Sequence, residues 1–234
     1  MRRRAGVAVA AALIGVLATP WSVTAAKKPK TPDRIWTNAQ FDGFNVRRIG
    51  MLPVASFDNN FTVEKQVEGA IGQAFAPTGY RWISATTTRE MLRVEGSDSL
   101  LRAVKAKVLS QERVDSLSAP ALCARLRCDA LLSVRVDQWE RREMEWNQAG
   151  KPSTSVQLRA ALVDSTGSLL WSASGSHTAE GPYHDPNANP IGLTLDRKPV
   201  TGQGGAPDFV EVVTTLAKRW AAQFPAVRTT EVKP

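Results

Sequence analysis

Two stretches decide the fold: residues 129–146, DALLSVRVDQWERREMEW, and residues 153–175, STSVQLRAALVDSTGSLLWSASG. Leu132, Val134 and Val136 recur at every second position, and so do Val156, Leu158, Ala160 and Leu162. Alternation of period two marks a strand with one buried face. Asp164-Ser165-Thr166-Gly167 is a tight turn, after which Leu169-Leu170-Trp171 gives a third strand. Three antiparallel strands in a row form a meander, and the remaining elements read as cover for one of its faces.

Upstream, Val46 to Phe57 supplies a first strand with Ile49, Met51, Leu52 and Val54. Pro53 within it indicates a sheet edge or a strand end. Asp58-Asn59-Asn60 is turn chemistry, and Thr62 is a candidate cap for the helix that follows. Such strand-to-helix junctions also bind anions in α/β sheets, although a plain turn and cap explains these residues as well. Val63, Val67, Ala70, Ile71, Ala74 and Phe75 then share one helical face until Pro77-Thr78-Gly79. Tyr80 to Ala85 is a short strand, which completes a β-α-β unit with parallel strands. Helices are expected near Thr87 or Thr88, from Ser97 or Asp98, and from Ser118, where Pro120 falls in the first turn.

Asp208 starts a last helix with Phe209, Val213, Leu216, Trp220 and Phe224 as its stripe. The expected class is therefore α/β (α+β): one domain with a mixed sheet, a β-α-β start and an antiparallel three-strand meander, with helices packed on it. The 234 residues allow one domain with a core. Its expected limits are 46–224, with a long Gly- and Pro-rich loop at 180–207, a linker and irregular segment at 27–45, and a loose tail at 225–234.

The amino terminus has the order of a secretory signal peptide over 1–26: Arg2-Arg3-Arg4, the uncharged run Ala5 to Ala18, and the small-residue site before Lys27. The uncharged run is shorter than the roughly 20 residues of a membrane span. The expectation is Sec-type export to the periplasm or medium, with no cysteine at the cleavage site to acylate and no membrane-spanning segment after cleavage. Of 30 basic residues, three leave with the leader, so 27 face 22 acidic ones. That balance allows weak contact with anionic envelope surfaces, and the absence of aromatic-interleaved basic motifs argues against nucleic acid.

Cys123 and Cys128 stand five apart. In an unbroken helix their Cα atoms would lie roughly 8.6 Å apart, beyond disulfide reach. A helix ending near Arg125 to Arg127 would let the turn bring them together, and an oxidising compartment favours the bond. No catalytic, cofactor or metal set stands out. The histidines, His177 and His184, with Glu180 and Asp185, match no ligand spacing, and they are the basis of an alternative reading as a small secreted hydrolase or ligand-binding enzyme. Trp139, Arg141, Arg142 and Trp146 have the composition of a partner-contact patch on a charged hairpin.

Three segments carry a family resemblance. Met51-Leu52-Pro53-Val54 matches a "lPf" strand, Leu126 to Leu132 an "l.aDall" junction, and Leu162 to Trp171 a "lvDa.tG.llW" turn. Over roughly Val46 to Gly175 the chain resembles the amino-terminal domain of TolB, CsgG-type curli-secretion lipoproteins and the envelope lipoproteins regarded as transport auxiliary components. It departs from them in lacking the lipobox cysteine, and its hairpin tip is too charged for a transmembrane barrel. The resemblance implies a non-enzymatic adaptor or accessory protein that binds other envelope proteins in transport or assembly. A regulator of a cell-wall synthase, as among similarly folded lipoprotein activators, is a further alternative.

Overall fold

In the computed structural model, which describes residues 33–93, 98–145, 148–183 and 205–227, the alternating segments become the longest strands. The elements, in chain order, are β1 (Arg34–Thr37), β2 (Arg48–Met51), β3 (Ala55–Ser56), α1 (Phe61–Phe75), β4 (Arg81–Ile83), α2 (Ala85–Leu92), α3 (Ser99–Gln111), α4 (Ala119–Leu126), β5 (Ala130–Arg142), β6 (Ser153–Asp164), β7 (Leu169–Glu180) and α5 (Phe209–Ala221). The chain forms a single mixed α/β domain with one seven-stranded sheet in the order β1-β7-β6-β5-β2-β4, and β3 also pairs with β5. The β5-β6-β7 meander is antiparallel, while β2 runs parallel to both β4 and β5, as a β-α-β start requires.

Helices pack on both faces of the sheet, over only part of the second, in contrast to the one-sided cover expected from the sequence. On the first face α1 and α5 bury Val67, Ile71, Phe75, Val213, Leu216 and Trp220 against Leu132, Val134, Leu158 and Leu162. On the second, α2, α3 and α4 bury Leu92, Leu101, Val104, Leu122 and Leu126 against Leu52, Ile83, Leu131 and Val163. The cause lies in β5: Ala130 to Val136 are buried without interruption, so both sides of this central strand need partners.

Register errors in the ladder do specific work. Leu162 faces Trp171 and Val163 faces Leu169, which leaves Leu170 as an extra residue of β7. This bulge lets adjacent Leu170 and Trp171 both enter the first core. Trp171 is fully buried and meets Phe75, Trp220 and Phe224 edge-to-face, with centroids 5.9, 6.5 and 4.9 Å away.

Three local expectations are corrected. Residues 34–37, read as irregular, form edge strand β1 on β7; four residues are too few to display a period. The third strand runs to Glu180, because Ser172 to Ala179, small residues apart from His177, lack apolar alternation and nonetheless pair in register with β6. Asn60, not Thr62, caps α1: its side chain accepts the N–H groups of Thr62 (3.1 Å) and Val63 (3.2 Å). Pro53 falls between β2 and β3, a strand end in the middle of the sheet. No helix among the described residues is long and apolar enough to cross a membrane.

Candidate functional site

Where β2 gives way to β3, the sheet runs out of a neighbour. β4 pairs only as far as Gly50 with Ile83. Beyond it two buried carboxylates of α1, one turn apart, take over the exposed backbone donors. Glu68 Oε1 accepts the Val54 N–H (3.1 Å), and Glu64 Oε1 accepts the Ser56 N–H (3.2 Å) and hydroxyl (3.1 Å). Arg89 of α2 compensates Glu68 at 2.6 Å, and Lys105 of α3 compensates Glu64. A buried carboxylate requires this combination of donors and a cation. The two pairs link the helices of one face to those of the other around the end of the sheet.

The same junction holds two phenylalanines in solvent. Phe57 is 61% exposed and Phe61 53% exposed, on either side of the Asp58-Asn59-Asn60 turn. Asn59 is in the left-handed region there (φ 51°), which Asn tolerates better than most residues. Cations stand over both rings: Arg135 Cζ is 5.4 Å from the Phe57 centroid, and Lys65 Nζ (4.7 Å) and Arg89 Cζ (5.5 Å) approach Phe61. These contacts hold each ring in place without burying it. The sequence carries a sign of this patch, since Phe61 falls off the apolar stripe that begins at Val63.

The hairpin residues divide between internal and external positions. Trp139 is half-buried; its indole N–H donates to Asp58 Oδ2 (2.8 Å) and its ring meets Phe209 edge-on at 5.8 Å. That hydrogen bond lowers the Asp58 carboxyl below its ordinary value. Arg141 pairs with Glu143 (2.7 Å) and donates to the Ala206 carbonyl (3.3 Å), and Glu143 accepts the Ala206 N–H (2.8 Å). These contacts fasten the segment leading into α5. Arg142 is exposed. Trp146, His184 and Asp185 lie outside the described residues, and His177 is a partly buried residue of β7 opposite Val156, so it is a strand residue rather than a loop residue.

The cysteines meet at a helix end. Arg127 adopts the left-handed conformation (φ 52°), the Cys128 N–H donates to the Cys123 carbonyl (3.0 Å), and the Arg127 N–H to Ala124 (3.3 Å). This pair of bonds is a Schellman motif, whose geometry places the first and last side chains in contact. Both cysteines are buried free thiols. The hydrogen bond from Cys123 to Cys128, together with burial, pushes the Cys123 thiol well up, and the same bond lowers Cys128.

No protein-family model matches the chain, and no curated protein matches it. Solved structures do. A lipoprotein from Neisseria meningitidis is 19% identical, covering 57% of this chain and 83% of that one, with a TM-score of 0.45. The PelC dodecamer from Paraburkholderia phytofirmans is 13% identical over 84% of this chain and 99% of that one, with a TM-score of 0.44. A hypothetical protein from Chlamydia trachomatis is 14% identical over 76% and 95%, also at 0.44.

Proposed function

We propose that the chain is an exported, non-enzymatic accessory protein of the cell envelope that docks on another envelope protein through Phe57 and Phe61. The observation that carries this reading is the patch itself. Two large aromatic rings are more than half exposed, and each is fixed beneath a cation. Rigid aromatic anchors beside Arg are the composition of an interface centre, because they bury area with little further loss of side-chain entropy. Arg89 and Arg135 are matched by Glu68 and Asp137, which leaves exposed Lys65 as the open cation of the patch, beside the exposed Asp58 carboxylate that accepts the Trp139 indole N–H. The partner surface that fits is apolar with a polar rim that sets a carboxylate against Lys65.

The leader-like residues 1–26 support export, and the TolB-like and CsgG-like signatures support an envelope role. A photo-crosslinking phenylalanine analogue at position 57 or 61, in envelopes of the source cell, tests the reading. One specific protein adduct is expected, reduced at least tenfold by Lys65→Glu. The same adducts from the analogue at Leu117, which is 87% exposed elsewhere, would refute it.

A further inference from the structure

The second face of the sheet is only half covered. Helices α2 to α4 pack toward β4, β2 and β5, and beside them lies a groove of about 650 Å³ lined by β1, β6, β7 and the end of α3. Small-ligand sites commonly have volumes of about 300–1,000 Å³. Cross-strand partners share a face, so the register sets its floor. Arg34 pairs with Ser174, Ser174 with Arg159, and Arg159 with Arg135, which aligns three arginines and a serine in one row across four strands. In the adjacent row Trp36 pairs with Ser172, and Ser172 with Ala161.

Like charges directly opposite destabilise a sheet unless bridged. Arg135 and Arg159 are bridged by Glu112 and Asp137, with Arg135 Nε 2.6 Å from Asp137 Oδ1 and Arg159 Nε 2.6 Å from Oδ2. Two arginines and two carboxylates balance. Asp33, at one wall, is matched by Arg219 at 3.0 Å. What is left over is positive: Arg34 and Arg113, both exposed, have no ion-pair partner among the described residues. With strands about 4.8 Å apart, the Arg34 and Arg159 backbones stand roughly 10 Å apart across the small Ser174. Trp36, 48% exposed, forms the edge beside them.

We propose that this groove binds an acidic saccharide, a glycan segment bearing carboxylates. Guanidinium forks match carboxylates in bidentate geometry. Ser172 and Ser174 offer hydroxyls along the floor, and Trp36 offers an aromatic surface for the C–H face of a sugar ring. Arg34, Arg113 and Trp36 take no part in the Phe57–Phe61 patch, to which the row connects only through Arg135, so either reading can fail without the other.

Calorimetric titration of the whole protein with trigalacturonic acid tests it, with maltotriose and triglutamate as comparisons. The expected result is binding of the uronate, weakened at least tenfold by Arg34→Ala, Arg113→Ala or Trp36→Ala and reduced by salt, with little binding of the comparisons. These side chains are exposed, so the variants should melt with the parent; if Arg34→Ala unfolds, Arg113→Ala carries the test. No uronate binding at millimolar concentration, equal binding of maltotriose or triglutamate, or indifference to all three substitutions would each overturn the proposal.

Discussion

Asp115 shows how one side chain sets a local start signal. It accepts the Ser118 N–H at 2.8 Å and the Lys107 ammonium at 2.7 Å, just ahead of α4. The bond from Lys107, followed by those from Ser118, holds its carboxyl down at about 2. The folded value lies below the ordinary 3.8, so on acidification the unfolded chain takes the proton first. The stabilisation is thus present above about pH 4 and is lost as pH falls through about 2. Asp115→Asn should lower the melting temperature at pH 7, with the gap to the parent closing between pH 4 and pH 2. A gap that stays constant over that range contradicts the assignment. Sequence reading placed the start of α4 correctly at Ser118 with Pro120 behind it, but gave Asp115 no part. The role depends on Lys107, eight residues upstream and brought close by α3.

Among the elements, the β6–β7 turn is the part most fully legible in advance. Asp164 Oδ1 accepts the N–H groups of Thr166 (2.9 Å) and Ser168 (2.8 Å), and Gly167 has φ +83°. Hairpin geometry alone demands such residues. Packing adds a second demand on Gly167: a Cβ there would lie 2.7 Å from the Ser116 nitrogen, with no flexible atom to yield. Gly167→Ala should therefore cost more than the ~1–2 kcal/mol of a left-handed residue, read as a lower urea midpoint at unchanged slope. Gly43→Ala, where a Cβ meets open space, is the control and should change little. A Gly167→Ala midpoint equal to the control's would show that the contact is relieved freely. The elements that escaped the sequence, β1 and the outer half of β7, are short or built mostly of Ser, Ala, Gly and Thr, and become strands only through their neighbours' backbones.

At the scale of the molecule, the two cores meet around one sheet, and Glu64 and Glu68 join them where β4 stops. The cysteines stand at the second core, at the α4–β5 junction. The Schellman turn brings the thiols into contact, so an oxidising compartment would find them already positioned. Exported protein, denatured without reductant, should then show no free thiols on titration, and reduction should cost ~2 kcal/mol or less because the closed loop is short. Two thiols in the unreduced sample would exclude the bond.

The sequence by itself determined the class of the fold. Period-two alternation, helical stripes and turn residues are local and survive in one dimension, and they foretold β5, β6, the β-α-β start, α1 and α5. Tertiary structure decided what depends on distant neighbours: that helices pack on both faces, that Asn60 caps α1, and that buried glutamates replace a missing strand. It also decided the candidate sites. Phe57 and Phe61 are visible as letters, but only the turn between β3 and α1 leaves them in solvent under cations. Arg34, Arg113 and Trp36 are up to 79 positions apart, and only the register of β1 on β7 and the end of α3 gather them at one groove. Pairing between distant strands is fixed by burial of whole faces, which no local window contains.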